Sequence, residues 1–249
     1  MPLLSGIVGA NGGTKSALSP FSRLEGTVVL DMDGRPVRAW GPTIYACRSA
    51  APRRSSSPTA RAVFLDRDGT LIVDRPYQAR PEAIEILPTV LEGLKLLTDA
   101  GYLLIVVTNQ SGIARGYFGT RALRRFHDCL GKIFADHGIR IAAFYYCPHH
   151  IAGRRLELAR PCNCRKPAPG MLFRAAGDWG IDLGRSWLIG DMPTDAEAAL
   201  AGGCSPILVG PERARGDKRW TVVATFEEAA RWITQYDGSG CAILRRAPE

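Results

Sequence analysis

Three short apolar runs constrain this chain more than anything else in it, because each ends abruptly on polar side chains. Ala62-Val63-Phe64-Leu65 runs into Asp66-Arg67-Asp68-Gly69-Thr70, Leu103-Leu104-Ile105-Val106-Val107 ends on Thr108-Asn109-Gln110-Ser111, and Trp187-Leu188-Ile189-Gly190 ends on Asp191. Unbroken apolar runs of this length read as strands buried on both faces of a parallel sheet. In open α/β sheets, ligands bind just beyond the carboxyl ends of such strands. The three runs therefore deliver their polar residues to one edge.

Between the runs the pattern switches to helical spacing. Residues 87–100 place Val90, Leu91, Leu94 and Leu97 on one face and stop at Gly101. Residues 120–137 repeat this with Leu123, Phe126, Leu130, Ile133 and Phe134. Further helices are expected at 170–179, 194–201 and 226–236, the second capped by Thr194 and closed by Gly202-Gly203. Residues 141–146 and 206–209 read as two more strands. Strictly alternating strands and helices predict an α/β fold, a doubly wound (Rossmann-like) parallel sheet, over residues 61–236, with 237–249 as a tail.

Residues 1–60 do not share this pattern. They are rich in Gly, Ser and Pro and end in Ala51-Pro52-Arg53-Arg54-Ser55-Ser56-Ser57-Pro58, which reads as a flexible basic linker. The expectation is a poorly ordered leader or a misplaced start of translation. Within it, Asp33-Gly34 lies between two β-rich arms and favours a tight hairpin. The net charge of +8 invites a nucleic-acid reading, but the excess is uneven. Residues 1–61 carry eight Lys/Arg against three Asp/Glu, whereas 62–249 carry 24 against 21. A core so mildly basic suits small phosphorylated substrates as well as it suits a polynucleotide. No apolar stretch reaches bilayer length and no export signal is visible, which leaves the cytoplasm as the expected location.

Asp66 and Asp68 form the sharpest reactive pair. A carboxylate can attack phosphorus and form an aspartyl-phosphate, which splits hydrolysis into two easier steps. A second carboxyl two residues on can protonate the leaving oxygen and later take a proton from water. Crowded carboxylates also bind Mg2+. A turn after a strand explains Asp68-Gly69 alone, but not the other two strand ends.

Cys147-Pro148-His149-His150 and Cys162-Asn163-Cys164 form a second constellation. Two ligand pairs, each two residues apart and separated by a loop, can close a Cys3His tetrahedral zinc site from Cys147, His149, Cys162 and Cys164. Four protein ligands make such a zinc structural. On spacing alone, His150 could replace His149. The scattered Cys47, Cys129, Cys204 and Cys241 read as small apolar residues.

Phe64 to Leu71 resembles the first motif of the haloacid dehalogenase-like phosphatases. Thr108 matches the second motif, Lys166 the third, and Gly190-Asp191 with Asp195 the fourth. The resemblance implies Asp66 as nucleophile and Asp68 as general acid/base. It implies Mg2+ on Asp66, the backbone carbonyl of Asp68, and Asp191. Thr108 and Lys166 would hold phosphoryl oxygens, and Asp195 would orient Lys166. The stretches 108–116, 145–150 and 162–167 narrow the resemblance to the heptose-1,7-bisphosphate 7-phosphatase family. That family implies a capless enzyme whose zinc loop shapes the pocket, with Asp74 to Tyr77, Thr108, Asn109, Gln110, Ser111, Arg165 and Lys166 as substrate contacts.

The expected partner is a small phosphorylated sugar, with no nucleic acid and no membrane, and the expected state is a monomer. Histidinol-phosphate phosphatases share the nucleophile motif and zinc loop, and the stretch 111–116 stands against them. A polynucleotide 3′-phosphatase would require aromatic stacking platforms along a basic groove, and the sequence arranges none that way.

Overall fold

The computed structural model describes residues 59–210, 217 and 219–236, together with the backbone of three short strands in the leader. These are β1 (Val28–Leu30), β2 (Pro36–Arg38) and β3 (Thr43–Ala46). The remaining strands are β4 (Ala62–Leu65), β5 (Leu103–Asn109), β6 (Ile141–Cys147), β7 (Trp187–Gly190), β8 (Ser205–Val209) and β9 (Thr221–Val223). The helices are α1 (Val90–Asp99), α2 (Thr120–Asp136), α3 (Gly170–Trp179), α4 (Pro193–Gly202) and α5 (Phe226–Tyr236).

One seven-stranded sheet runs in the order β3-β6-β5-β4-β7-β8-β9. Six of its strands are parallel, and β3 pairs antiparallel with β6. The chain starts at the centre with β4, builds outward through β5 and β6, then returns to β7 on the other side of β4. That reversal opens a crevice at the carboxyl ends of β4, β5 and β7, where ligands bind in such sheets.

The unbroken apolar strands follow from two covered faces. Val63 and Leu65 join Leu104, Val106, Ile189 and Ile207 against α1, α2 and α5. Ala62 and Phe64 join Ile105, Val107 and Leu188 against Met171, Leu172, Ala175 and Trp179 of α3 and Ala199 of α4. Successive strand residues point to opposite faces, so a strand with helices on both must be apolar throughout.

Three expectations need adjusting. Thr194 does not cap α4: the helix begins at Pro193, and the Asp195 carboxylate accepts the Met192 N–H at 3.1 Å instead. Pro at the first position has no N–H to satisfy, so the cap moves ahead of it. Gly203 closes the helix with φ at 81°, as expected. The strand β9 lacks a long apolar run and was not anticipated. Part of the leader is also regular, since β3 extends the sheet edge; the antiparallel pairing of β1 with β2 agrees with the hairpin expected at Asp33-Gly34, residues that themselves lie outside the described ones.

The outer edge of β6 is thus covered by a strand that supplies no candidate site residue. Deleting residues 1–58 should leave turnover intact while uncovering that edge and promoting self-association. Steady-state assay with size-exclusion chromatography checks this, and a folded, inactive truncation would mean that the leader completes the site.

Candidate active site

The three strand ends converge as the topology requires. Asp66 follows β4 directly, and its N–H donates to the Ile189 carbonyl of β7 at 2.9 Å. Asp191 follows β7, and Thr108 sits near the end of β5. Lys166 arrives from the long connection between β6 and α3. Asn109 fixes its backbone reciprocally: the Asn109 amide donates to the Lys166 carbonyl, and the Lys166 N–H donates to Asn109 Oδ1, both at 3.1 Å. The Lys166 ammonium then donates to Asp66 Oδ1 and to the Val107 carbonyl, and it pairs with Asp195 at 2.6 Å.

This centre is buried and dominated by charge. Asp66, Lys166 and Asp195 are all buried. Burial pushes the Asp66 carboxyl well above its usual range; Lys166 pulls it back, and Asp195, Asp191 and Asp68 push it up again. Asp191 is raised to about 6, first by burial and then by Asp195, against the opposing Thr70 hydrogen bond and Lys166. Burial alone would lower the Lys166 ammonium, but Asp195 and Asp66 outweigh it and hold the group above its ordinary value. Three carboxylates thus share one cation. Asp66, Asp191 and Asp195 bring oxygens within 4.8 Å of one another. An excess of hard oxygen ligands suits a divalent cation such as Mg2+.

Two glycines make the crowding possible. A Cβ on Gly69, where φ is 83°, would lie 2.5 Å from an Asp191 oxygen, and one on Gly190 would lie 2.4 Å from the Asp195 Cβ.

Asp68 turns away from the Asp66 cluster. Arg67 Nε and Nη2 donate to its carboxylate at 3.0 and 2.8 Å. Gln110 Nε2 donates to both Asp68 Oδ2 and Thr108 Oγ1 at 2.9 Å. Of the residues expected to touch substrate, Asn109 and Gln110 therefore commit their amides to internal bonds. Asp74 is exposed, and its carboxyl is raised by partial burial and by Asp68 while Arg67 opposes. Tyr77 stacks near Tyr117 with ring centroids 4.3 Å apart and lines a cavity of about 320 Å³ beside them.

The second constellation also assembles. Cys147 Sγ lies 3.6 Å from His149 Nδ1, 3.5 Å from Cys162 Sγ and 3.2 Å from Cys164 Sγ. His149 Nδ1 lies 3.3 Å from Cys164 Sγ, and the two remaining thiols are 3.4 Å apart. All three cysteines are free. Groups at these separations can each direct one atom at a shared tetrahedral centre. The geometry selects His149 over His150. The latter lies outside the cluster, where its Nδ1 accepts the Ala152 N–H at 3.1 Å and Arg115 Nη2 lies 3.3 Å from Nε2. Burial, Arg115 and Arg165 together lower the His150 imidazole. Arg115 was not singled out from the sequence, although it stands inside the quoted stretch 108–116. Among the described residues neither Arg115 nor Arg165 pairs with a carboxylate.

A buried carboxylate gripped by lysine at the switch point of a parallel sheet, with further carboxylates on the next strand, defines a phosphoryl-transfer enzyme of the haloacid dehalogenase-like class. A family profile described as HAD-hydrolase-like matches residues 163–228, and one described as polynucleotide kinase 3 phosphatase matches residues 61–194. A D-glycero-beta-D-manno-heptose-1,7-bisphosphate 7-phosphatase of Yersinia pestis is 38% identical over 173 residues, covering 69% of this chain and 88% of the relative. The solved D,D-heptose 1,7-bisphosphate phosphatase of B. bronchiseptica, in complex with magnesium and phosphate, superposes with a TM-score of 0.62 at 33% identity over 70% of this chain and 98% of its own. A HAD-like phosphatase structure from Mesorhizobium loti gives a TM-score of 0.68 at 30% identity over 79% and 94%. The chain belongs to the D-glycero-beta-D-manno-heptose-1,7-bisphosphate 7-phosphatase family of HAD-like hydrolases, and it is a phosphoric monoester hydrolase. Among its described residues no helix is long and apolar enough to cross a membrane.

Gly190→Ala should push Asp195 off Lys166, since the new methyl group and the Asp195 side chain cannot share the space. We expect at least about a tenfold loss in kcat/KM, because small misplacements of a positioned group are costly to rate. Circular dichroism confirms the fold, and a fully active variant would remove Asp195 from the orienting role.

Proposed function

We propose that this chain removes the 7-phosphate of D-glycero-beta-D-manno-heptose 1,7-bisphosphate through an aspartyl-phosphate on Asp66, in making activated heptose for surface polysaccharide. The observation that carries the reading is the buried Asp66–Lys166–Asp195 centre at the mouth of the sheet. An Asp66 oxygen attacks phosphorus as the bond to the sugar oxygen breaks, and Asp68 supplies the proton to that oxygen. Water then attacks the aspartyl-phosphate, passes a proton to Asp68, and frees both phosphate and the Asp66 carboxylate. Thr108 and Lys166 hold the phosphoryl oxygens. Mg2+, held by Asp66, the Asp68 carbonyl and Asp191, would neutralise charge on the phosphoryl group in flight. We extend the reading to a monomer working in the cytoplasm on a small phosphorylated sugar, without nucleic acid or membrane as partners.

Zinc fits the Cys3His cluster in both ligand softness and number. The protein as isolated should contain one zinc per chain, and Cys164→Ser should lose it together with the order of the loop. Elemental analysis and limited proteolysis measure both. A protein without zinc, even after refolding in its presence, would overturn the assignment.

A bisphosphate presents a second dianion, and Arg115 and Arg165 flank His150 with no carboxylate paired to them among the described residues. A guanidinium fork suits that second phosphate. Arg165→Ala should therefore weaken use of the heptose bisphosphate by about ten- to a hundredfold more than use of a monophosphate, the worth of one charge-assisted contact. The same assay compares histidinol phosphate and a 3′-phosphorylated oligonucleotide, the latter because of the matching polynucleotide-phosphatase profile. Preference for either would replace the heptose reading.

A further inference from the structure

Arg67 lies between the two reactive carboxylates and is 1% exposed, an unusual place for a guanidinium. Its acceptors are few. Beyond Asp68 it reaches His127 Nε2 at 3.1 Å and the Gln78 carbonyl at 3.5 Å, and its guanidinium carbon sits 4.6 Å from the centre of the Phe126 ring. His127, on the inner face of α2, is also 1% exposed and stacks on Phe144 with centroids 4.7 Å apart.

A guanidinium can only donate. His127 must therefore offer its Nε2 lone pair, which places its proton on Nδ1. That atom is buried and has no hydrogen-bond partner among the described residues. Burial and the neighbouring Arg67 both drive the imidazole well below its ordinary range, so it stays neutral. Burying a polar donor unsatisfied costs stability, and an apolar side chain on α2 would avoid that cost. What the arrangement supplies is geometry. With Nη1 held by His127, the other edge of the guanidinium meets Asp68 as a two-pronged fork, and Gln110 fixes the same carboxylate from the Thr108 side. A bidentate fork sets both the plane and the position of a carboxylate.

We propose that Arg67 and His127 are positioning residues, a buried pair that holds the Asp68 carboxyl in place for proton transfer to the leaving oxygen. The inference rests on the acid/base role given to Asp68 above. An ester with an acidic leaving group needs little protonation, whereas an alkyl ester needs it fully. Because kcat/KM reports departure of the leaving group, comparing two esters isolates the positioning of Asp68. A loss of packing would affect both esters alike.

The test measures kcat/KM for 4-nitrophenyl phosphate and for heptose bisphosphate, or for whichever alkyl phosphate the parent enzyme uses. His127→Phe should lower the alkyl value at least about tenfold while lowering the aryl value less than about threefold, the scale expected when a general acid is misplaced. His127→Gln, which returns an acceptor to the Nε2 position, should restore most of the alkyl rate. If His127→Phe does not fold, Arg67→Lys, which keeps the charge and loses the fork, takes its place with the same expectation. Equal losses on both esters, or no loss on either, overturn the proposal. Asp68→Ala separates the two readings: if it spares the alkyl ester, the acid/base role of Asp68 fails instead.

Discussion

The site depends on one ammonium group. Lys166 is buried among Asp66, Asp195 and the Val107 carbonyl. Removing one member of a buried ionic group typically costs about 3–5 kcal/mol, because the remaining charges lose their compensation. Much of the surrounding backbone serves to bring this one side chain in. Asn109 clamps the Lys166 peptide from β5, Gly190 leaves room for Asp195, and Asp195 in turn fixes the start of α4 through the Met192 N–H. Strand, loop and helix meet there through polar contacts that cannot be relaxed one at a time.

The cluster also carries a charge imbalance. Asp66, Asp191 and Asp195 crowd near the single ammonium of Lys166, and burial first, then their mutual repulsion, raises Asp66 and Asp191. A divalent cation held by these carboxylates would supply the missing positive charge and favour the ionised form of Asp66. The Cys147–His149–Cys162–Cys164 cluster does separate work. It gathers the long connection between β6 and α3, which has no helix or strand of its own, and its last cysteine lies two residues from Lys166. The Ala114 carbonyl accepts the Arg154 and Arg155 N–H groups at 2.8 and 2.9 Å, which joins this connection to the loop after β5. The residues proposed to hold phosphate on both loops thus sit on one tied unit.

Much of this was legible in the sequence because the informative residues stand at strand ends. The runs closing on Asp66, Thr108 and Asp191 gave both the parallel sheet and the reactive edge, and α3 and α5 appear at their expected limits. The cysteine spacing identified the second cluster, but choosing between His149 and His150 needed three dimensions, since either is close enough in sequence. Thr194 misled because a hydroxyl after Pro193 looks like a cap, while the proline itself moves the cap upstream. β3 was obscured by its flanking Gly, Ser and Pro residues, which read as linker. The contact between Arg67 and His127 spans 60 residues from strand end to helix face, and no local pattern announces it.

That last contact shows how a parallel sheet can tune two neighbouring carboxylates differently. Asp66 and Asp68 lie two residues apart at the same strand end, yet one faces a lysine and the other an arginine. The lysine brings a compact charge to the buried Asp66 without fixing its carboxylate plane, which suits the nucleophilic role proposed for it. The arginine grips Asp68 by two donors of one edge and fixes the plane, which suits the proton-transfer role proposed for it. The two cations come from different parts of the chain, Lys166 from the loop that carries the Cys/His cluster and Arg67 from the end of β4. Either can therefore be perturbed without the other, and the proposed division of labour between the two carboxylates rests on that separation.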